Sequence, residues 1–427
     1  MKVLWFANSP CGSIKRNNIK TITGGWLISL EDEIKKCSDI DLNVAFFSKT
    51  EEAPFIFEDV RYLPILIPSR KSKIGHILDR RKNIESVDKR ILPIMIDIVN
   101  SVKPDLIHIH GTEQSFGLIQ DYVKHIPVVF SIQGLLAPYT EKFYSGIPCA
   151  EVEKRETFLM KIRGIDTKRL YRSFYYRGRR ECMFLKKAQY ILGRTSWDHN
   201  VTGLLNPDRK YYIVNEILRQ PFYINQWKKE KYNDIIQITS IISPGIYKGF
   251  ETLLQSAELL KKYTHLNFVW NVVGLSFDGR YERLCEDYTH IKACDVNVRY
   301  LGLQSANNLS KILVSSDIYC HVSHMENSPN SVCEAMLIGV PVLASYAGGT
   351  SSILEDGEEG YLVQDGDAYA IAGSIVKMSQ SFDLCKILGE KARRKALARH
   401  NPQNVITELT KSYKDILRRA NGTSIHC

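Results

Sequence analysis

Apolar positions in this chain fall into short runs separated by stretches of helical spacing. That is how a parallel α/β sheet covered by helices reads. In the first half the runs are 2–7, 42–47, 106–111, 128–132, 190–195 and 211–216, with an amphipathic helical pattern over 27–34. A polar, charged stretch at 226–234 reads as a linker. A second series opens at 235–239 and continues through 268–273, 298–301, 318–321 and 342–344. Between its first two runs, Phe250, Leu253, Leu254, Ala257 and Leu260 line one face of a helix. Residues 382–420 read as helical with a break at Asn401-Pro402, and 421–427 as a frayed tail. The pattern predicts an α/β fold of two doubly wound, Rossmann-like domains facing a central cleft, split as 1–225 and 226–403.

A length of 427 residues suits two cores better than one. With 44% hydrophobic and 24% charged residues, the composition is that of an ordinary globular protein. No run approaches the roughly 20 apolar residues of a membrane span. The first apolar run is too short for a signal-peptide core and reads as a buried strand. Ten cysteines without a C-x-x-C pair fit free thiols in a reducing cytosol, so a cytoplasmic location is expected. The net charge of +10 is uneven: residues 151–187 hold twelve Lys/Arg against five Asp/Glu, and residues 70–90 hold eight against three. Two readings stand for these segments. Mixed with large apolar residues, they suit docking on an anionic membrane, here its inner face; they also suit solvated helix faces. No nucleic-acid module or repeated aromatic–basic motif is visible.

Candidate chemistry centres on Glu326-Asn-Ser-Pro-Asn-Ser-Val-Cys-Glu334. Ser328 suits an N-cap, Pro329 the first helical residue, Gly339 the C′ position, and Pro341 blocks continuation. The backbone N–H groups of Asn330 and Ser331 then point out of a positive helix end that could hold a diphosphate. Lys248 lies on a glycine-bearing loop, 243–249, after the first strand of the second series. In the first half, Gly24-Gly25 sits where strand hands over to helix, and is either a close approach to a ligand or a plain turn. His110, at a strand exit, is either a ligand contact or a satisfied structural histidine; His108 reads as core. Gln133 and Arg194 stand at two further exits, where open α/β sheets bind ligands. Asp39-Ile40-Asp41 and Asp365-Gly366-Asp367 fall in a connection and a turn, so no metal site is expected, and no bound cofactor. A helix N-terminus, a lysine and two carboxylates together suit a nucleotide sugar, whose diphosphate needs donors and whose vicinal hydroxyls need acceptors.

Glu326-x7-Glu334-Ala335-Met336, Gly339-x-Pro341-Val342, Gly348-Gly349, Leu301-Gly302, Ser323 and Lys248-Gly249 resemble the hallmarks of the GT-B-fold retaining glycosyltransferases of family four, of the bacterial capsule and surface-polysaccharide type. The resemblance is firm over about 235–365 and looser before 220. It implies a metal-independent, hexosyltransferase-type enzyme moving a sugar from a nucleotide diphosphate sugar to a hydroxyl of a lipid-linked saccharide. By the same resemblance, Glu334 binds the donor ribose, Glu326 the donor sugar, and Lys248 with Asn330 and Ser331 the diphosphate. Gly24 and Gly25 admit phosphate and acceptor, and the last helix (404–427) packs back on the first domain. Two departures stand out. Thr239-Ser240-Ile241-Ile242 replaces the family's arginine turn, which makes Arg194 the candidate second cation. Gln133 stands where the family has a histidine, which makes Gln133 and His110 the first-domain catalytic candidates. An epimerase or phosphorylase on the same fold, and a catalytically silent partner of a membrane or transferase, are the alternatives.

Overall fold

The computed structural model describes residues 1–17, 25–67 and 84–422. Gly24 and most of the 70–90 basic segment, up to residue 83, lie outside the described residues. The chain divides into two units: Met1–Thr140 with Glu156–Ile217 and Pro402–Cys427, and Glu141–Arg155 with Leu218–Asn401.

The first unit holds an eight-stranded sheet built from β1 (Lys2–Ala7), β2 (Asp41–Ser48), β3 (Phe55–Phe57), β4 (Val60–Leu66), β5 (Leu106–His110), β6 (Val128–Ser131), β7 (Tyr190–Gly193) and β8 (Lys210–Ile213). Its order is β3-β4-β2-β1-β5-β6-β7-β8, parallel except for β3 against β4. Alternate residues of β1 feed opposite cores: Val3 and Trp5 face one, Leu4 and Phe6 the other. The helix Pro402–Ala420 closes the first of these cores with Val405, Leu409, Tyr413 and Ile416. Trp5 Nε1 donates to Tyr413 Oη across it at 3.1 Å.

The second unit's sheet is wholly parallel: β9 (Ile236–Ile241), β10 (Phe268–Val273), β11 (Val298–Gly302), β12 (Ile318–His321), β13 (Val342–Tyr346) and β14 (Tyr361–Gln364), in the order β11-β10-β9-β12-β13-β14. Each sheet therefore steps outward both ways from its first strand. The switch points fall between β1 and β5 and between β9 and β12, where doubly wound sheets bind ligands at their carboxyl ends.

Three boundaries differ from the sequence expectation. Residues 141–155 belong to the second unit, because Val152 is buried, Arg155 Nη2 donates to the Asp287 carbonyl at 3.2 Å, and its guanidinium lies over the Tyr288 ring. The division after the first unit falls at Ile217 instead of 225. The stretch 226–234 is packed: Trp227 is buried, its backbone N–H donates to the Ile338 carbonyl at 2.8 Å and its indole to the Ser316 carbonyl at 2.7 Å. No helix among the described residues is long and apolar enough to cross a membrane.

Candidate active site

The switch point of the second unit presents two loops, 242–249 after β9 and 322–329 after β12. The first carries Lys248 on a 3-10 turn, Ile246–Lys248, that ends at Gly249. Gly249 has φ +77°, and a Cβ there would strike the Val322 carbonyl, so only glycine lets the two loops lie this close. The second loop carries Ser323 and Glu326. The Glu326 carbonyl accepts from Gly349 N at 3.0 Å, and Gly348 (φ +53°) leaves room for it where a Cβ would collide.

These loops bring Lys248 Nζ to 2.5 Å from Glu326 Oε1, which also accepts from Ser323 Oγ at 2.8 Å; His321 Nε2 is 3.9 Å away. Both side chains are largely buried, 19% and 12% exposed. Burial pushes the Glu326 carboxyl up, but Lys248, His321 and the two hydrogen bonds outweigh it and leave it below the ordinary carboxylate range. Burial likewise lowers Lys248, yet Glu326 and the Tyr247 phenol more than restore it. His321, desolvated and opposed by Lys248, is held neutral at about 4.

The helix Asn330–Ile338 starts at the same place. Pro329 occupies the N-cap position, one residue later than the sequence suggests for the cap, and no side chain caps it. Asn330 and Ser331 are thus the first two helical residues, whose N–H groups have no carbonyl one turn back. A cavity of about 180 Å³ is lined by Lys248, Glu326, His321, Ser323, Asn330 and Ser331, with Ile241 and Ile242 as its apolar wall. Asn330 Oδ1 and His321 Nε2 are buried there without a hydrogen-bond partner. Such unsatisfied atoms ask for an explanation, and a polar ligand supplies one.

Glu334, one turn further along the helix, is buried and held by Arg219, whose Nε and Nη2 donate to its two oxygens at 2.7 Å each. Burial raises its carboxyl above the ordinary value, and the guanidinium offsets this only in part. Arg219 is the residue at this candidate site that the sequence does not point to. It precedes the short helix Gln220–Ile224, as its N-cap residue, and no motif connects it to Glu334.

The first-unit candidates lie at strand exits around its own sheet. Gly25 opens the helix Gly25–Ile34, and Gln133 follows β6, half-buried. Arg194 follows β7. It is buried against Glu216, Nε to Oε2 3.4 Å, with its guanidinium over the Trp26 ring. His110 is fully buried, edge-on to Trp5 and tilted against His108, and neither ring nitrogen has a hydrogen-bond partner. Desolvation, with His108 and Arg194, holds it well below the ordinary histidine range, so no proton-transfer role is assigned to it. His108 is the satisfied core residue its position suggests, bonded to Tyr413 Oη at 2.6 Å and Ser131 Oγ at 2.5 Å.

Residues 221–395 match the family model described as Glycosyl transferases group 1. N-acetyl-alpha-D-glucosaminyl L-malate synthase of Bacillus anthracis is 27% identical over 128 residues, 30% of this chain and 34% of that protein. The capsular polysaccharide biosynthesis glycosyltransferase CapM of Staphylococcus aureus is 27% identical over 240 residues, 49% of this chain and 62% of its own. The chain thus spans less than two thirds of either relative's length. Among solved structures, sucrose-phosphate synthase from Thermosynechococcus elongatus is similar at a TM-score of 0.71, 14% identical over 98% of this chain and 100% of that one. Anabaena HepE, in complex with UDP and glucose, gives 0.65 at 15% identity, over 97% and 99%. At these identities the structures speak to fold alone. Residues 221–395 thus match glycosyl transferases group 1, in a chain whose fold, two Rossmann-like α/β units, is of the GT-B type.

Proposed function

We propose that this chain transfers a sugar from a nucleotide diphosphate sugar to a hydroxyl of a lipid-linked saccharide, with retained anomeric configuration and without a metal, in surface-polysaccharide assembly. One observation carries the reading: Lys248, Glu326 and the first amides of Asn330–Ile338 line a single cavity at the second unit's switch point. A diphosphate needs concentrated positive charge, and the ammonium, the N–H groups of Asn330 and Ser331 and the positive helix end supply it together. Glu326, ionised and directed by Ser323, accepts hydrogen bonds from the donor sugar's hydroxyls. Glu334, oriented by Arg219, accepts from the ribose. In the transfer, the bond from the anomeric carbon to the diphosphate oxygen breaks and its electron pair leaves with the nucleoside diphosphate. The acceptor oxygen bonds to that carbon, and its proton passes to the departing diphosphate. Lys248 and the amides stabilise the charge that grows on the leaving group, the largest electrostatic demand of the step. On the first unit, Gln133 and Gly25 offer a side-chain amide and an accessible backbone to the acceptor. The name of CapM supports a polysaccharide product, and the UDP and glucose bound to HepE support a nucleotide-sugar donor.

A thermal-shift screen against nucleotide sugars identifies the donor, since a ligand at 100 times its Kd adds about 2.7 kcal/mol to the folded state. With that donor and a saccharide acceptor, Glu326→Ala and Glu334→Ala are expected to remove transfer while the circular dichroism is unchanged. Full transfer by both variants overturns the site. Donor turnover without acceptor points to an epimerase, a requirement for inorganic phosphate to a phosphorylase, and loss of activity with chelator refutes the metal-free step. Absence of binding to any donor leaves the silent-partner reading.

A further inference from the structure

The helix Phe158–Arg163 has no buried side chain, yet it is carefully held. Thr157 caps its start and Gly164, at φ +65°, its end. Behind it, Glu156 Oε1 accepts from both Thr167 N and Thr167 Oγ1, at 2.6 and 2.5 Å, and so ties the two ends of the excursion together. What this staple holds out is apolar: Phe158 is 78% exposed, Leu159 51% and Ile162 42%. An ordered turn that displays large apolar groups contributes little to the core, so its exposure calls for a partner.

The next helix, Thr167–Lys187, supplies the charge. Its inner side is set by Gly178, Glu181, Phe184 and Leu185, all buried. Lys168, Arg172, Tyr176, Arg179, Met183 and Lys186 recur at helical spacing on the opposite side and are all exposed. That outer face carries no carboxylate, because the helix's one acidic residue, Glu181, points inward to Thr112 Oγ1 and Ala137 N. An ordinary solvated helix mixes both signs. A face of cations with interfacial tyrosine and methionine, beside an exposed Phe-Leu-Ile turn, is complementary to an anionic bilayer, where headgroups meet the cations and the acyl boundary takes the apolar groups.

We propose that residues 157–187 form a docking surface for anionic lipid bilayers, with Phe158, Leu159 and Ile162 entering the headgroup–acyl boundary and the outer face of Thr167–Lys187 resting on the headgroups. The surface is defined without reference to the donor cavity, so it stands or falls independently of the transferase reading. The full chain is sedimented with vesicles of phosphatidylglycerol and phosphatidylcholine, and with phosphatidylcholine alone. Binding is expected to the first only, and to weaken as salt is raised. Arg172→Ala with Arg179→Ala should lower the partition coefficient about 25-fold, about fivefold per cation. Phe158→Ser with Ile162→Ser should lower it at least tenfold. Melting temperature and circular dichroism, unchanged in both, exclude misfolding, and the arginine pair alone should alter the salt dependence. No sedimentation with anionic vesicles at low salt overturns the proposal. So does binding that is indifferent to Phe158 and Ile162 and is competed equally by a short oligonucleotide, which would mark a general polyanion face.

Discussion

Replacing Lys248 by methionine keeps much of its stem but leaves Glu326 without its cation. At 2.5 Å, the pair's gross attraction is about 7 kcal/mol for an effective dielectric of about 20. Desolvation of two largely buried ions takes back much of that, and breaking such a pair from one side costs about 3–5 kcal/mol. The lower end applies here, because Glu326 keeps the Ser323 hydroxyl and because His321, relieved of Lys248, becomes easier to protonate beside it. The expected loss at pH 7 is therefore about 3 kcal/mol for Lys248→Met. Most of it should return in Lys248→Met/Glu326→Gln, where no buried charge remains. The sign with pH follows from Glu326. Its folded pKa lies below the ordinary 4.5, so the pair's contribution is present above that value and is lost as the pH falls through the folded one. Urea unfolding of the four proteins of this cycle, followed by tryptophan fluorescence at pH 7 and at pH 4, measures the coupling. A coupling below about 0.5 kcal/mol at pH 7, or a gap between wild type and Lys248→Met that widens in acid, would falsify the ion-pair account.

Two further outcomes follow from neighbouring groups. Arg219→Lys keeps the charge at Glu334 but cannot make both parallel hydrogen bonds, so nucleotide affinity should fall although the charge is conserved; Arg219→Ala should add about 3 kcal/mol of destabilisation by leaving a buried carboxylate alone. Titration calorimetry with the nucleoside diphosphate, beside urea unfolding, separates the two effects, and an Arg219→Lys variant with wild-type affinity refutes the positioning role. His321 is held at about 4 against an ordinary 6.5, so the unfolded chain binds a proton that the folded one refuses between those values. Stability should therefore fall as the pH drops from 6.5 to 4, by up to about 3 kcal/mol from this residue. His321→Asn should flatten that part of the stability profile, and an unchanged profile shows that the histidine titrates normally.

The two sheets are legible in the sequence because buried parallel strands read as apolar runs and their polar exits interrupt them. What escapes has a physical reason in each case. The antiparallel pair Phe55–Phe57 and Val60–Leu66 is short, and prolines at 54, 64 and 68 break its pattern. The stretch 226–234 looks like a linker by its charge, because one buried Trp227 anchors it where composition counts five Lys, Glu and Asp around it as solvent-facing. Residues 141–155 belong by sequence to their neighbours and in space to the helix Arg280–Thr289, through contacts no local pattern encodes. Lys248 and Glu326 were recoverable because each sits on a loop just after a strand, and topology brings such loops together. Arg219 was not, since 115 positions separate it from the carboxylate it holds.

Thr239-Ser240-Ile241-Ile242 stands where the resemblance implies an arginine turn, and in the structure it closes one side of the cavity. Ile241 and Ile242 form the apolar wall of the cavity, and among the described residues lining it Lys248 is the one Lys or Arg. Arg219 supplies a guanidinium to the second unit, but it is committed to Glu334, on the ribose side of the proposed site. Before a ligand arrives, the charge of Lys248 is therefore cancelled by Glu326, and the attraction for a diphosphate rests on the two N-terminal amides and the helix dipole, the dipole worth about 2 kcal/mol at most. A diphosphate must compete with Glu326 for the same ammonium. If it wins, Glu326 is freed from the lysine at the moment a sugar hydroxyl is within reach, so binding of the diphosphate and recognition of the sugar are one event at this pair. A donor fragment lacking the sugar should then leave Glu326 buried with the Ser323 hydroxyl but without its cation, and bind more weakly than the intact donor, by about the 1–3 kcal/mol that an under-satisfied buried acceptor costs.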